Sequence, residues 1–365
     1  MDSILKKYAK LLVEYCLEIK EGEKLYIDAS TAAEPLVREV YRAAYEAGGI
    51  VEYQLRFSEE KKIKYASAKG EQLDHVPILY KKAMEEFDAY LAIRAPHNLV
   101  ENHSLDKEKS KRYSKAAKPT HDLYFQRTAS GSLKRSLCQY PTHASAQMAG
   151  LSLEEYSHFV YNACRLFDED PKASWLEVRE NQQHIVDYLN QVDQVQYISP
   201  YTDIKFSVKG RKWINSDGRT NMPSGEVFTG PIEDSVNGHV YFSYPSIYSS
   251  NTVQGIKLKV KDGQVVSWEA EQGQELLDEI FEYPGARYFG EVAIGTNYNI
   301  QRATRNILFD EKIGGTIHMA VGQSYLQTGA NNQSPIHWDM ITDMKDGGQI
   351  LADGKLIYEN GKFLI

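Results

Sequence analysis

The sequence predicts an α/β N-terminal domain with a mostly parallel sheet over residues 1–170, followed by a strand-rich α+β domain over residues 171–365. Three observations carry that expectation. The chain has 365 residues, about twice the usual ~100–150 of one domain. In its first half, short apolar runs alternate with stretches of helical periodicity, the pattern of right-handed βαβ crossovers. After Val192 the texture changes to short strands broken by Gly, Asn and Asp turns.

Each element has a local reason. Met1–Lys24 reads as an amphipathic helix of mixed charge, without the apolar block and cleavage site of a secretory leader. Lys24–Asp28, Ile50–Phe57, Ala89–Arg94 and Arg135–Tyr140 are short β-prone runs and are read as strands. Helices are expected from Pro35 to the Gly48-Gly49 stop, over Pro77–Asp88, and near Ala144–Ala149 and Leu153–Phe167. The basic run Lys107–Lys118 is the solvated face of a helix, since Glu108 interrupts it and no aromatic ladder accompanies it. Phe167–Ser174 is the linker, and Trp175–Gln191 a long helix. Beyond it, "VQYISP", "IKFSVKG", "KWINSDG", "GIKLKVKDG" and "QVVSWEA" are strands, with hairpin turns expected at Asp217-Gly218 and Asp262-Gly263.

Composition narrows the function. Apolar residues at 42% and charged residues at 25% exclude a disordered or fibrous chain. No apolar run approaches the ~20 residues that span a bilayer, so no membrane partner is expected. Cys16, Cys138 and Cys164 are an odd, widely spaced set, suited to a reducing cytoplasm and to neither a disulfide framework nor a thiolate metal site. The net charge is −8, and it divides unevenly. Up to Asp170 there are 25 Lys and Arg against 26 Asp and Glu; from Pro171 the balance is 17 against 24. Excess carboxylate in the second half disfavours a nucleic-acid groove and favours a cation site.

No two glycines are separated by one residue, so a GxGxxG loop is absent. GxxxxGK[ST], GxSxG and HExxH are absent too. What remains is a set of hard-metal ligands in the last 140 or so residues. Glu226 stands in "NMPSGEVFTGP" and Glu291 in "YFGEVAIG", so Gly-Glu-Val occurs in both. His318 and Tyr325 lie in "GGTIHMAVGQSY", and His337 and Asp339 in "NNQSPIHWDM". On a strand, His337 and Asp339 share one face and Trp338 takes the other. An imidazole and a carboxylate converging on a point suit a Zn²⁺- or Co²⁺-type ion. Singly, each residue also fits an ordinary role: an exposed Gly-Glu-Val turn, a core histidine, a surface aromatic contact.

The blocks "NMPSGEVFTGP", "GEVAIGTNYNI", "GGTIHMAVGQSY" and "IHWDM", in this order, closely resemble the metallo-aminopeptidase family typified by aminopeptidases T and S. The resemblance extends upstream through "YPTHASAQMAGLSLEEY" (Tyr140–Tyr156) and covers most of the chain. It implies a catalytic second domain holding two divalent ions (Zn, Co, Mn or Mg) on Glu226, Glu291, His318, Tyr325, His337 and Asp339. Glu226, Glu291 and Tyr325 would take the catalytic roles. The resemblance also implies peptide substrates with a free N-terminus and a homodimer, and the cysteine usage a cytoplasmic setting. Two other classes stay open on the residues alone. Glu226 and Glu291 could be the acid and base of a metal-free glycoside-type hydrolase, which leaves the histidines and Asp339 idle. A non-catalytic module with a structural metal is the other, although such sites are usually Cys-rich.

Overall fold

The computed structural model describes residues 2–248 and 251–365. It divides into two compact units, Met1–Lys172 with Gly218–Pro223, and Ala173–Asp217 with Ser224–Ile365.

The first unit is built on a five-stranded sheet in the order Ile50–Arg56, Lys24–Ser30, Ala89–Arg94, Lys134–Gln139, Asn221–Met222. Every pairing in it is parallel. Leu25, Tyr26 and Ile27 are buried one after another, as a parallel strand covered on both faces requires. Between the strands run helices such as Glu34–Glu46, where Pro35 suits the first turn. That helix buries Leu36, Val37, Val40 and Ala44, a single stripe at helical spacing. The N-terminal helix is shorter than expected. It runs over Asp2–Leu11, closes with one wide turn at Leu12–Cys16, and ends well before Lys24; Met1 lies outside the described residues. The basic run lies on a longer helix, Lys107–Ala129.

The second unit begins within the helix Pro171–Leu189. An antiparallel eight-stranded sheet follows, in the order Gln264–Glu269, Ile256–Lys261, Asn237–Phe242, Thr202–Ser207, Gln194–Ser199, Gln349–Ala352, Lys355–Glu359, Lys362–Phe363. Its Ile256–Lys261 strand alternates buried and exposed residues, so one face packs and the other meets water. Asp262-Gly263 closes the expected hairpin. Asp217-Gly218 does not. Ile214–Ser216 pairs instead with Glu226–Thr229, and the chain between them supplies Asn221–Met222 to the parallel sheet.

A second antiparallel sheet has the order His337–Asp343, Thr316–Gly322, Phe289–Gly295, Glu226–Thr229, Ile214–Ser216. Its two faces differ in kind. Val227, Val292, Ile294, Ile317, Met319, Val321, Trp338 and Met340 enter one apolar core, shared with Tyr197, Phe206 and Phe242 of the eight-stranded sheet. The alternate residues point the other way, and among them are Glu226, Glu291, His318, His337 and Asp339. Among the described residues no helix is long and apolar enough to cross a membrane.

Candidate metal centre

Cross-strand register brings these five side chains together. Glu291 sits opposite Ala320, and Ala320 opposite Asp339. His318 lies opposite Ala293, Gly322 opposite His337, and Gly295 opposite Glu226. Small residues thus alternate with the charged ones, leaving room for long side chains to converge above the sheet.

Both Gly-Glu-Val segments have a backbone reason for their glycine. Gly225 has φ +116°, and a Cβ there would stand 2.7 Å from Asn297 Cβ. Gly290 sits in a bulge between Phe289 and Glu291, where a Cβ would stand 2.5 Å from the carbonyl oxygens of Gly322 and Gln323. A bulge re-aims the side chain beside it, and here that side chain is Glu291.

The ligand-type atoms form two groups, Glu226–Glu291–His318 and Glu291–His337–Asp339, within each of which the atoms lie no more than 4.8 Å apart. His318 Nε2 is 3.4 Å from Glu226 Oε2 and 3.5 Å from Glu291 Oε1. His337 Nε2 is 3.2 Å from Glu291 Oε2 and 3.5 Å from Asp339 Oδ1. Glu291 therefore serves both groups, one oxygen to each. His337 Nδ1 is 2.7 Å from the Gln323 carbonyl. A carbonyl only accepts, so Nδ1 carries the proton and Nε2 is presented to the carboxylates.

Burial falls off across the site. The side chains of His318, Glu291 and Glu226 are 1%, 5% and 7% exposed, against 11% for Asp339 and 23% for His337. Tyr325 stands beside these groups, within reach of the charges of Glu291, Asp339 and Glu226. It lies at the open side, its ring 5.0 Å from His337 and 5.6 Å from Phe228. Phe228 packs against Tyr325 here, whereas Phe242 is core and Tyr244 donates to Asp343.

Charges at this density displace proton equilibria. Burial alone would lower the pKa of His318, but Glu291 and Glu226 outweigh it and raise the value to about 9. His337 is raised well above its ordinary value against the same burial cost, by Asp339 and Glu291. Burial would raise Asp339, yet His337, His318 and Lys312 hold it down at about 2. For Tyr325, burial and the surrounding carboxylates both push the phenol up, so it stays protonated.

Four buried atoms in the centre, Glu226 Oε2, His318 Nδ1, His318 Nε2 and Asp339 Oδ1, have no hydrogen-bond partner among the described residues. Buried polar atoms are ordinarily satisfied. Each of these belongs to a side chain of divalent-metal chemistry and faces others of the same kind. The residues fit a divalent-metal site.

Sequence reasoning missed three contributors. Gln182, 2% exposed, donates to Asn215 Oδ1, the Ser216 carbonyl and the Glu226 carbonyl, and accepts from Thr296. It ties down the start of the Glu226 strand from the opening helix. Lys312 and Glu311 are the others; both stand near the centre, and Lys312 is fully buried. Burial raises the Glu311 carboxyl, Lys312 offsets this, and the value stands at about 7. Neither residue sits in a periodic pattern, so no local signal marked them.

A family model described as Peptidase M29, thermophilic metalloprotease, matches residues 1–363. Aminopeptidase 2 of Geobacillus stearothermophilus is 31% identical, over 96% of this chain and 95% of its own. Aminopeptidase AmpS of Bacillus subtilis is 28% identical over the whole of both chains. Among solved structures, wild-type AmpT from Thermus thermophilus superposes with a TM-score of 0.85 at 25% identity, covering 99% of each chain.

Proposed function

Because this chain belongs to the Peptidase M29 family of thermophilic metalloproteases, and so to the metal-dependent peptide hydrolases, we propose that it is a two-metal aminopeptidase releasing the N-terminal residue of peptides. One observation carries the two-metal reading: five ligand-type side chains fall into two groups that share Glu291. Glu226, Glu291 and His318 would hold one divalent ion, and Glu291, His337 and Asp339 the other, with Tyr325 at the open side. Zn, Co, Mn or Mg fit the charge; the two imidazoles favour the first three. When bound, such ions supply Lewis acidity that lowers the pKa of water and polarises a carbonyl.

The chain's own groups do the rest. A carboxylate of the centre that is not fully engaged with metal takes the proton of the attacking water and passes it to the leaving amine. Tyr325, kept protonated, donates to the oxygen on which charge develops. Asp339 and the face around it attract the substrate's α-ammonium. The catalytic domain in this proposal is residues 171–365, with 1–170 the α/β domain. The buried cysteines Cys16, Cys138 and Cys164, an odd and widely spaced set, support a reducing, cytoplasmic compartment. A homodimer, proposed from the family resemblance, is tested by sedimentation at micromolar concentration; a pure monomer removes it.

The test of the activity is chelation. Metal-loaded protein should release free leucine from Leu-anilide, lose that activity on chelation, and regain it with Co²⁺, Zn²⁺ or Mn²⁺. Activity that survives exhaustive chelation would return the reaction to a metal-free carboxylate pair.

Two further outcomes follow from the site. Metal ligation requires a neutral imidazole, and His318 titrates near pH 9 in the metal-free protein against an ordinary 6.5. The stability contributed by its charged form is complete below about pH 6.5 and lost as pH rises through about 9. Metal affinity should rise over the same window, with protons released on binding. Calorimetry at pH 7 in buffers of different ionisation heat counts them, and a count of zero contradicts the assignment. Cys138 is wholly buried, and burial raises its thiol far above the ordinary value. Cys138→Ser should leave turnover unchanged and lower stability by ~1–3 kcal/mol, the cost of a buried hydroxyl. If turnover disappears while metal stays bound, a thiol mechanism replaces this one.

A further inference from the structure

Lys312 brings an ammonium, a charge of the same sign as a metal ion, against the centre. Its side chain is 0% exposed, and a buried ammonium persists only where it is paired. Its partners are Glu311, in direct contact, and Glu226, whose Oε1 lies 3.5 Å from Nζ. The other oxygen of Glu226, Oε2, faces His318 Nε2 at 3.4 Å and has no hydrogen-bond partner among the described residues. The two oxygens of one carboxylate thus meet different environments: a resident cation on one side, open ligands on the other. Glu291 contrasts with it, since each of its oxygens faces a different histidine, His318 at 3.5 Å and His337 at 3.2 Å.

We propose that Lys312 is a positioning residue that occupies Oε1 of Glu226 and so confines this carboxylate to one-oxygen binding of a single ion, with Glu311 as the counter-charge that lets the ammonium stay buried. The proposal rests on the two-metal reading above. Its consequence is a division of labour: Glu291 can be shared, whereas Glu226 cannot bridge. A like charge this close also weakens the ion held by Glu226, so the pair tunes affinity as well as denticity.

The probe is Co²⁺, whose visible d–d bands report coordination number independently of turnover. Wild type should bind two Co²⁺. Lys312→Met, which keeps the length of the side chain and removes its charge, frees Oε1. One of the two Co²⁺ should then bind ~10-fold tighter or more by calorimetry, since a repelling unit charge has gone. The band intensity should fall as the coordination number of that ion rises. Lys312→Arg, which keeps the cation, should stay near wild type in both readouts. If Lys312→Met fails to fold, the charge-balanced double variant Glu311→Gln/Lys312→Met is read in the same way. A crystal structure of the Co²⁺-loaded wild type needs no variant: Oε2 alone on the metal and Oε1 against Lys312 supports the proposal. Both Glu226 oxygens on metal overturns it, as does a Lys312→Met protein with wild-type affinities and spectrum. A wild type that binds no Co²⁺ overturns the two-metal reading itself, a distinguishable failure.

Discussion

Glu291→Gln should abolish aminopeptidase activity and reduce Co²⁺ binding from two ions to at most one, because this carboxylate alone belongs to both ligand groups. An amide keeps the shape of the side chain and removes the charge that two histidines face. The expected loss in kcat/KM is ~10³-fold or more, about 4 kcal/mol of transition-state stabilisation. The fold should survive. His318 keeps Glu226 beside it and His337 keeps Asp339, and the core face of the sheet is untouched. Glu226→Gln is the comparison: it leaves the Glu291–His337–Asp339 group complete, so one ion should remain. Metal analysis of the purified variants, with melting curves in chelator, checks both. A Glu291→Gln protein that holds two ions would remove Glu291 from its shared role.

The second large effect belongs to the substrate. N-acetyl-Leu-anilide should be turned over ~10³-fold more slowly than Leu-anilide, or not at all, because acetylation removes both the charge and the lone pair of the amine. Exposure rises from His318 through Asp339 and His337 to Tyr325, which is 44% exposed. An entering substrate therefore meets Asp339 and His337 first. An amine anchored there leaves only the first peptide bond within reach of the centre, and such positioning is worth up to roughly 7–11 kcal/mol in well-oriented intramolecular reactions. A mid-chain-labelled peptide completes the assay, with single residues expected to appear before any internal fragment. Equal turnover of the acetylated anilide, or early internal cleavage, would leave a metallohydrolase of broader specificity.

The sequence by itself determined whatever depends on neighbours within a few positions. Period-two alternation placed His337 and Asp339 on one face with Trp338 on the other, and Trp338 is in the core. Read alone, His318 also fitted a core histidine; the structure puts its neighbours Ile317 and Met319 in the core instead. The crossovers of the first half announced a parallel sheet, since helices between β-prone runs leave little else. Asp262-Gly263 announced its hairpin through turn chemistry alone. Asp217-Gly218 carried the same local signal and did not make one, because the partner of Ile214–Ser216 is the more distant Glu226–Thr229 strand. Only the tertiary structure decided such pairings, and the centre depends on them. Glu226 and Glu291 stand in similar Gly-Glu-Val segments, yet one faces Lys312 and a histidine while the other faces two histidines. That difference comes from the bulge at Gly290 and from the strand each glutamate lies beside, which are properties of the assembled sheet. Lys312 and Glu311 follow a short helix and belong to no periodic face. Their place beside Glu226 is set by long-range packing, where charge and distance act between segments that no local pattern connects.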